Sequence, residues 1–171
     1  ARVERIVQDA GMFASRDGFR RYLAATYAMR AHYERLLDLN GAAQLWPLWP
    51  SRRIAALVAQ DIADLGRADP GDATEAPEEN LQLELSPAEQ IGILYVLEGS
   101  SLGARVLVKL VADIGLTASF GARHLFRQAG DRDAWRSFLA LMSEAPKAPC
   151  HRTVEATFEA FAQAYRKAAD C

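Results

Sequence analysis

The sequence predicts an all-α fold, and three observations carry that prediction. Apolar residues recur three or four positions apart through most of the chain, which is the spacing of one helix face. Alternation with period two, the mark of a half-buried strand, is nearly absent. Boundary residues also fall where the periodic segments begin and end: Ser86-Pro87 opens the longest of the later ones and Gly115 closes it.

Each element has its own warrant. The chain opens on Val3, Ile6 and Val7 at helical spacing, with no capping residue and no initiator Met ahead of Ala1, which predicts that further residues precede it. Ser15-Arg16-Asp17-Gly18 offers side-chain oxygens to cap a long amphipathic helix over residues 19–39. Phe19, Leu23, Tyr27, Met29, Tyr33, Leu36 and Leu37 recur along it, with Arg20, Arg21, Arg30 and Glu34 between them. In LWPLWP, Pro47 and Pro50 break helix while Trp46 and Trp49 supply large apolar faces, so a packed corner is expected. Ser51 then starts a helix through Ile54, Leu57, Val58, Ile62 and Leu65, and residues 66–80 turn acidic and polar, as a solvated loop does. A long helix over residues 87–114 follows, then shorter ones near 121–128 and 131–143, an Ala- and Pro-rich turn at 145–149, and a last helix over 151–169. Val154, Phe158, Phe161 and Tyr165 share one face of that last helix.

Composition narrows the class. A chain of 171 residues with 50% hydrophobic side chains is expected to form one domain over residues 1–171. Its 20 basic and 22 acidic residues nearly cancel, so no net field attracts nucleic acid or an anionic membrane. Cys150 and Cys171 lack a CxxC spacing, which supports neither a disulfide framework nor a zinc site and makes a reducing cytoplasm the expected setting. No apolar run approaches the roughly 18 to 20 residues of a bilayer span, and a membrane protein is not expected.

The helix SPAEQIGILYVLEGSSLGARVLVKLVADIG carries Gly92, Gly99 and Gly103 in its interior, each costing about 0.8 to 1 kcal/mol against alanine. Such a loss needs an offsetting close approach to backbone. Gly99 and Gly103 lie four apart on one face, so either another helix packs there or a flat ligand does. The segment LYVLEGSSLGARVL resembles the distal helix of the haem oxygenase superfamily, particularly its bacterial, bacteriophytochrome-associated branch. FASRDGFRRYLAATYAMRAHYE and ATFEAFAQAY likewise resemble that family's second and last helices, in the same order. The resemblance implies a helical bundle that sandwiches haem between a first, proximal helix and a kinked distal helix. It also implies an enzyme for which haem is substrate and cofactor, using O2 and an electron donor such as a ferredoxin or reductase to release biliverdin, CO and iron.

By that resemblance Gly99 and Gly103 touch the porphyrin and leave space for O2, while Ser100 stands where animal members carry an aspartate. Tyr95 and Phe158 are implied pocket walls, Val3 a pocket contact, Glu4 a carboxylate behind the iron's histidine, and Arg136 a partner for the haem propionates. The histidine itself aligns immediately before Ala1. None of the three present replaces it: His32 reads as a surface or inter-helix residue, His124 as part of a basic surface patch beside Arg123, and His151 as a helix start. Two other readings stand beside the enzyme, a haem-binding or regulatory protein of the same fold and a helical interaction protein without a tetrapyrrole.

Overall fold

In the computed structural model the described residues are 2–66, 84–131, 133–144 and 149–170, with the side chains of residues 2–4 outside the description. The acidic loop beyond Gly66 and the turn at 145–148 also lie outside it. Among the described residues the elements are α1 (Arg2–Asp9), α2 (Arg16–Leu39), α3 (Ala42–Leu45), α4 (Trp49–Arg52), α5 (Ala55–Leu65), α6 (Pro87–Asp113), α7 (Arg123–Gly130), α8 (Ala134–Ser143) and α9 (His151–Ala169). No strand is formed among them, only isolated bridges around Thr117.

Local chemistry sets the boundaries. Ser15 takes an extended conformation and its Oγ accepts from the Gly18 amide at 3.0 Å, satisfying an otherwise orphaned donor of α2. Ser86 and Glu89 form a reciprocal capping box, with Pro87 in the first turn of α6. After α6 the chain reverses through Gly115 at φ 74°, the left-handed conformation that glycine adopts without penalty. The tryptophan corner is built as expected: Trp46 and Trp49 are buried, and the Trp49 indole N–H donates to Asp38 at 2.8 Å. The helix expected from Ser51 is instead interrupted. Arg53 is extended, so the run divides into α4 and α5.

One hydrophobic core runs through the bundle from Val7 to Ala168. The helix α6 is its axis, packed by α7, α8 and α9, while α2 lies against α5 and α9 and α1 against α9. Over its 27 residues α6 has the length and a windowed mean hydropathy of 1.5 that a membrane span would need, and half of that window is buried inside the bundle. A helix that is apolar nearly all round is what a core axis requires. Gly92 explains part of the pattern, because a Cβ there would meet the Cys150 carbonyl and Thr153 Cβ, each at 3.1 Å. The N-terminus of α9 therefore rests on bare α6 backbone at this turn.

Candidate functional site

Two turns farther along α6 the surroundings change. Gly99 and Gly103 line a cavity of about 840 Å³, within the size range of sites for small-molecule ligands. A Cβ built on Gly99 would meet nothing nearer than Trp135 Cζ3 at 4.0 Å, so this wall is backbone facing open space and no neighbouring helix fills it. Tyr95 and Trp135 sit beside the wall with ring centroids 5.6 Å apart, and Phe158 and Phe161 of α9 close another side. Val7 brings α1 to the lining. Leu102 and Phe158 are 54% and 43% exposed, which places an open apolar rim there.

The deep end is polar. Tyr22, Thr26 and Tyr165 meet there: Tyr165 stacks on Tyr22 with centroids 5.6 Å apart and its hydroxyl pairs with Thr26 Oγ1 at 2.9 Å. Burial holds the Tyr165 phenol up at about 12 and raises Tyr22 as well, so both stay neutral at physiological pH. Gln128 of α7 donates to Ser100 Oγ at 3.2 Å, and Ser100 Oγ donates to the Leu97 carbonyl at 2.6 Å. Ser101 makes the same back-bond to Glu98. Serine back-bonds of this kind weaken a helix locally, and both fall at the glycine-bearing turn.

Beneath the cavity lies a buried charge network. The Arg30 guanidinium bonds to Glu34 at 2.8 Å, to the Arg52 carbonyl at 3.2 Å and more loosely to the Leu97 carbonyl at 3.5 Å. Glu34 Oε1 in turn accepts from the amides of Ile54 and Ala55, which caps α5. Arg52 pairs with Glu98 at 3.0 Å and with Asp131. Burial pushes the Glu98 carboxyl up, and Arg52 and Arg30 offset only part of that rise.

Of the residues expected at a site, the structure brings Tyr95, Gly99, Ser100, Gly103 and Phe158 to one cavity. Arg136 lies elsewhere: its side chain is 83% exposed, pairs with Asp133, and flanks an adjoining pocket with Arg105 that shares Leu102 and Trp135 with the cavity. Val3 and Glu4 belong to α1, but their side chains lie outside the described residues.

The three histidines do not line the cavity. His32 is half-buried against Tyr33 and His151 is exposed at the start of α9. The surface reading of His124 is corrected, because it is fully buried, with Nδ1 2.7 Å from Asp61 Oδ2 and its ring stacked near Phe19 and Tyr22. Burial lowers its basicity despite the adjacent carboxylate. Arg30 and Glu34, which the helical pattern placed among polar positions, are only 2% and 4% exposed. Their i,i+4 spacing was the one local signal of a pair.

Fold and cavity together define a class: an all-helical protein with a largely apolar cavity walled on one side by bare helix backbone. No family model matches the sequence. Curated relatives do match. The haem oxygenase PigA of Pseudomonas aeruginosa is 39% identical over 142 residues, covering 82% of this chain and 70% of that protein. A haem oxygenase of Xanthomonas campestris pv. campestris is 32% identical over 132 residues, covering 71% of this chain and 74% of the relative. The chain belongs to the haem oxygenase family. A crystal structure of the NO- and CO-bound haem oxygenase from Neisseria meningitidis shares the fold with a TM-score of 0.68 at 25% identity, over 98% of this chain and 79% of that one.

Proposed function

We propose that this protein is a haem oxygenase that cleaves haem to biliverdin, CO and iron. The observation that carries the reading is the Gly99 wall, open to a cavity of about 840 Å³ where the other reading of the glycine pair required a packed helix. That observation, with the family membership, disfavours the interaction protein and leaves the non-catalytic haem binder as the reading to test. Bound haem supplies the iron at which O2 and reducing equivalents meet, and its own ring is the substrate.

The chain's residues then have distinct tasks. Gly99 and Gly103 let the ring approach backbone and leave room above it, whereas any side chain would fill that room. Tyr95, Trp135 and Phe158 line the cavity and would hold the ring, and the mostly apolar lining would keep bulk water from it. The Ser100 hydroxyl spends its proton on Leu97, so toward an ordered water it acts as an acceptor, held in place by Gln128. Arg136 and Arg105, at the adjoining pocket, are our candidates for the propionates. Val3 and Glu4 are assigned to the wall and to the carboxylate behind the iron's histidine, on the helix that brings Val7 to the cavity. A bacterial, cytoplasmic setting, a single domain over residues 1–171 and a ferredoxin or reductase as donor complete the reading.

The test is to mix the full-length protein with haemin, a reductase system and O2. The Soret band should form and then give way to the absorbance of biliverdin. A haem complex that persists under reductant in air would make the protein a binder, and no Soret shift on titration would refute a tetrapyrrole site altogether.

A further inference from the structure

Arg52 of α4 reaches two separate elements from one buried guanidinium. Its Nε donates to Glu98 Oε2 at 3.0 Å, Nη2 lies equally close to the same oxygen, and Nη1 pairs with Asp131. Glu98 immediately precedes Gly99 on α6. Asp131 follows the end of α7, and its Oδ1 accepts from the Ala134 amide at 3.0 Å, which caps α8 one residue before Trp135. Trp135 is in turn the residue nearest a Cβ built on Gly99, with Cζ3 4.0 Å away. Arg52 and Glu98 are not part of the cavity lining, and Asp131 reaches only the adjoining pocket. The backbone at Arg52 is fixed from behind, because its carbonyl accepts from Arg30 Nη2 at 3.2 Å and the Ser51 carbonyl accepts from Arg127 at 2.9 Å. The Arg52 and Glu98 side chains are 6% and 2% exposed, and a buried ion pair commonly stabilises no more than apolar residues of the same volume would. What a planar guanidinium adds to apolar packing is direction: its bonds to two carboxylates set the spacing of the elements that carry them.

We propose that Arg52 is a positioning residue for haem cleavage, a clamp whose bonds to Glu98 and Asp131 fix the gap between the Gly99 backbone and the Trp135 ring. The inference rests on the haem reading of the cavity and assigns a task to residues outside its lining. Arg52 touches neither ring nor iron and acts through the two walls. With the clamp in place the gap has one width and the ring one seat. With it cut, α6 and α8 shift independently, so haem still enters but its seat is no longer unique.

The experiment compares the full-length wild type with Arg52→Met/Glu98→Met, which removes both buried charges while filling their space, and with Asp131→Ser, which keeps an oxygen to cap α8 but offers Arg52 no charge. The Asp131 side chain is 37% exposed, so a folded variant remains should the double substitution prevent folding. In the apoprotein, amide hydrogen exchange over residues 98–103 and 134–138 should quicken by about tenfold in the double variant, and over 134–138 in Asp131→Ser, while α2 exchanges as in the wild type. Haemin affinity, read at the Soret band, should change by no more than about threefold, whereas turnover should fall about tenfold or more, because reaction is more sensitive than binding to a small displacement. The biliverdin released should contain a wider mixture of ring-opening isomers, resolved by chromatography. Wild-type exchange in both segments, a loss of turnover matched by an equal loss of haemin affinity, or wild-type turnover with the wild-type isomer pattern would each overturn the clamp. Failure of the wild type to bind haemin would instead sink the haem reading, and the exchange rates would still decide whether Arg52 couples α6 to α8.

Discussion

Substituting Gly99 by alanine separates stability from function in a single methyl group. In a helix interior alanine is favoured over glycine by about 0.8 to 1 kcal/mol. The added Cβ would meet nothing nearer than Trp135 Cζ3 at 4.0 Å, an ordinary contact, so no clash offsets the gain. The apoprotein should therefore melt about 2 to 4 °C higher. Function should move the other way. The methyl occupies the space against which the ring packs, and displacing a reacting group by about 1 Å costs on the order of a hundredfold in turnover. Gly99→Leu projects farther into the cavity and should weaken haemin binding at least tenfold, about 1.4 kcal/mol. The assays are thermal melting of the apoprotein by circular dichroism, haemin titration at the Soret band, and biliverdin formation. Lower apoprotein stability in Gly99→Ala, or wild-type haemin affinity in Gly99→Leu, would refute the assignment of this turn to a ligand wall.

The remaining predictions concern the scaffold. Gly92→Leu should destabilise the fold by about 1 to 3 kcal/mol in urea, because its Cβ meets the Cys150 carbonyl and Thr153 at 3.1 Å; a variant as stable as the wild type would contradict the close approach of α9. Arg52→Met strands Glu98 without its 3.0 Å partner inside the bundle and should cost about 3 to 5 kcal/mol, much of it recovered in Arg52→Met/Glu98→Met. His124 is buried with its basicity lowered, so the unfolded chain binds its proton more readily than the folded one. The resulting loss of stability begins as pH falls through about 6.5, with a slope approaching at most about 1.4 kcal/mol per pH unit. Burial raises Asp61, but hydrogen bonds from His124 and Arg123 outweigh it and hold its carboxyl low, so its own contribution is lost only at lower pH. His124→Asn should melt with less dependence on pH between 7 and 5 than the wild type, and an identical dependence would remove His124 from the account.

Much of the architecture was legible locally. The last helix falls on residues 151–169 as its periodicity predicted, the Ser86 box and Gly115 bound α6 within a residue, and Gly99 and Gly103 marked the turn that lines the cavity. The interruption between α4 and α5 was not, because the apolar spacing from Ile54 to Leu65 does not register an extended Arg53 just before it.

Periodicity, caps and interior glycines are properties of neighbours within a turn or two, and these by themselves determined a helical bundle with a bare stretch on its central helix. Only the tertiary structure decided which charges are buried, because that depends on partners brought from distant segments: Arg30 meets the carbonyls of Arg52 and Leu97, and His124 meets Asp61. A charged side chain read alone is assigned to water, where its solvation is cheapest. It moves to the interior only when another part of the chain supplies the opposite charge or an unspent carbonyl, and that supply is set by the packing of α2, α5, α6 and α7 around the cavity.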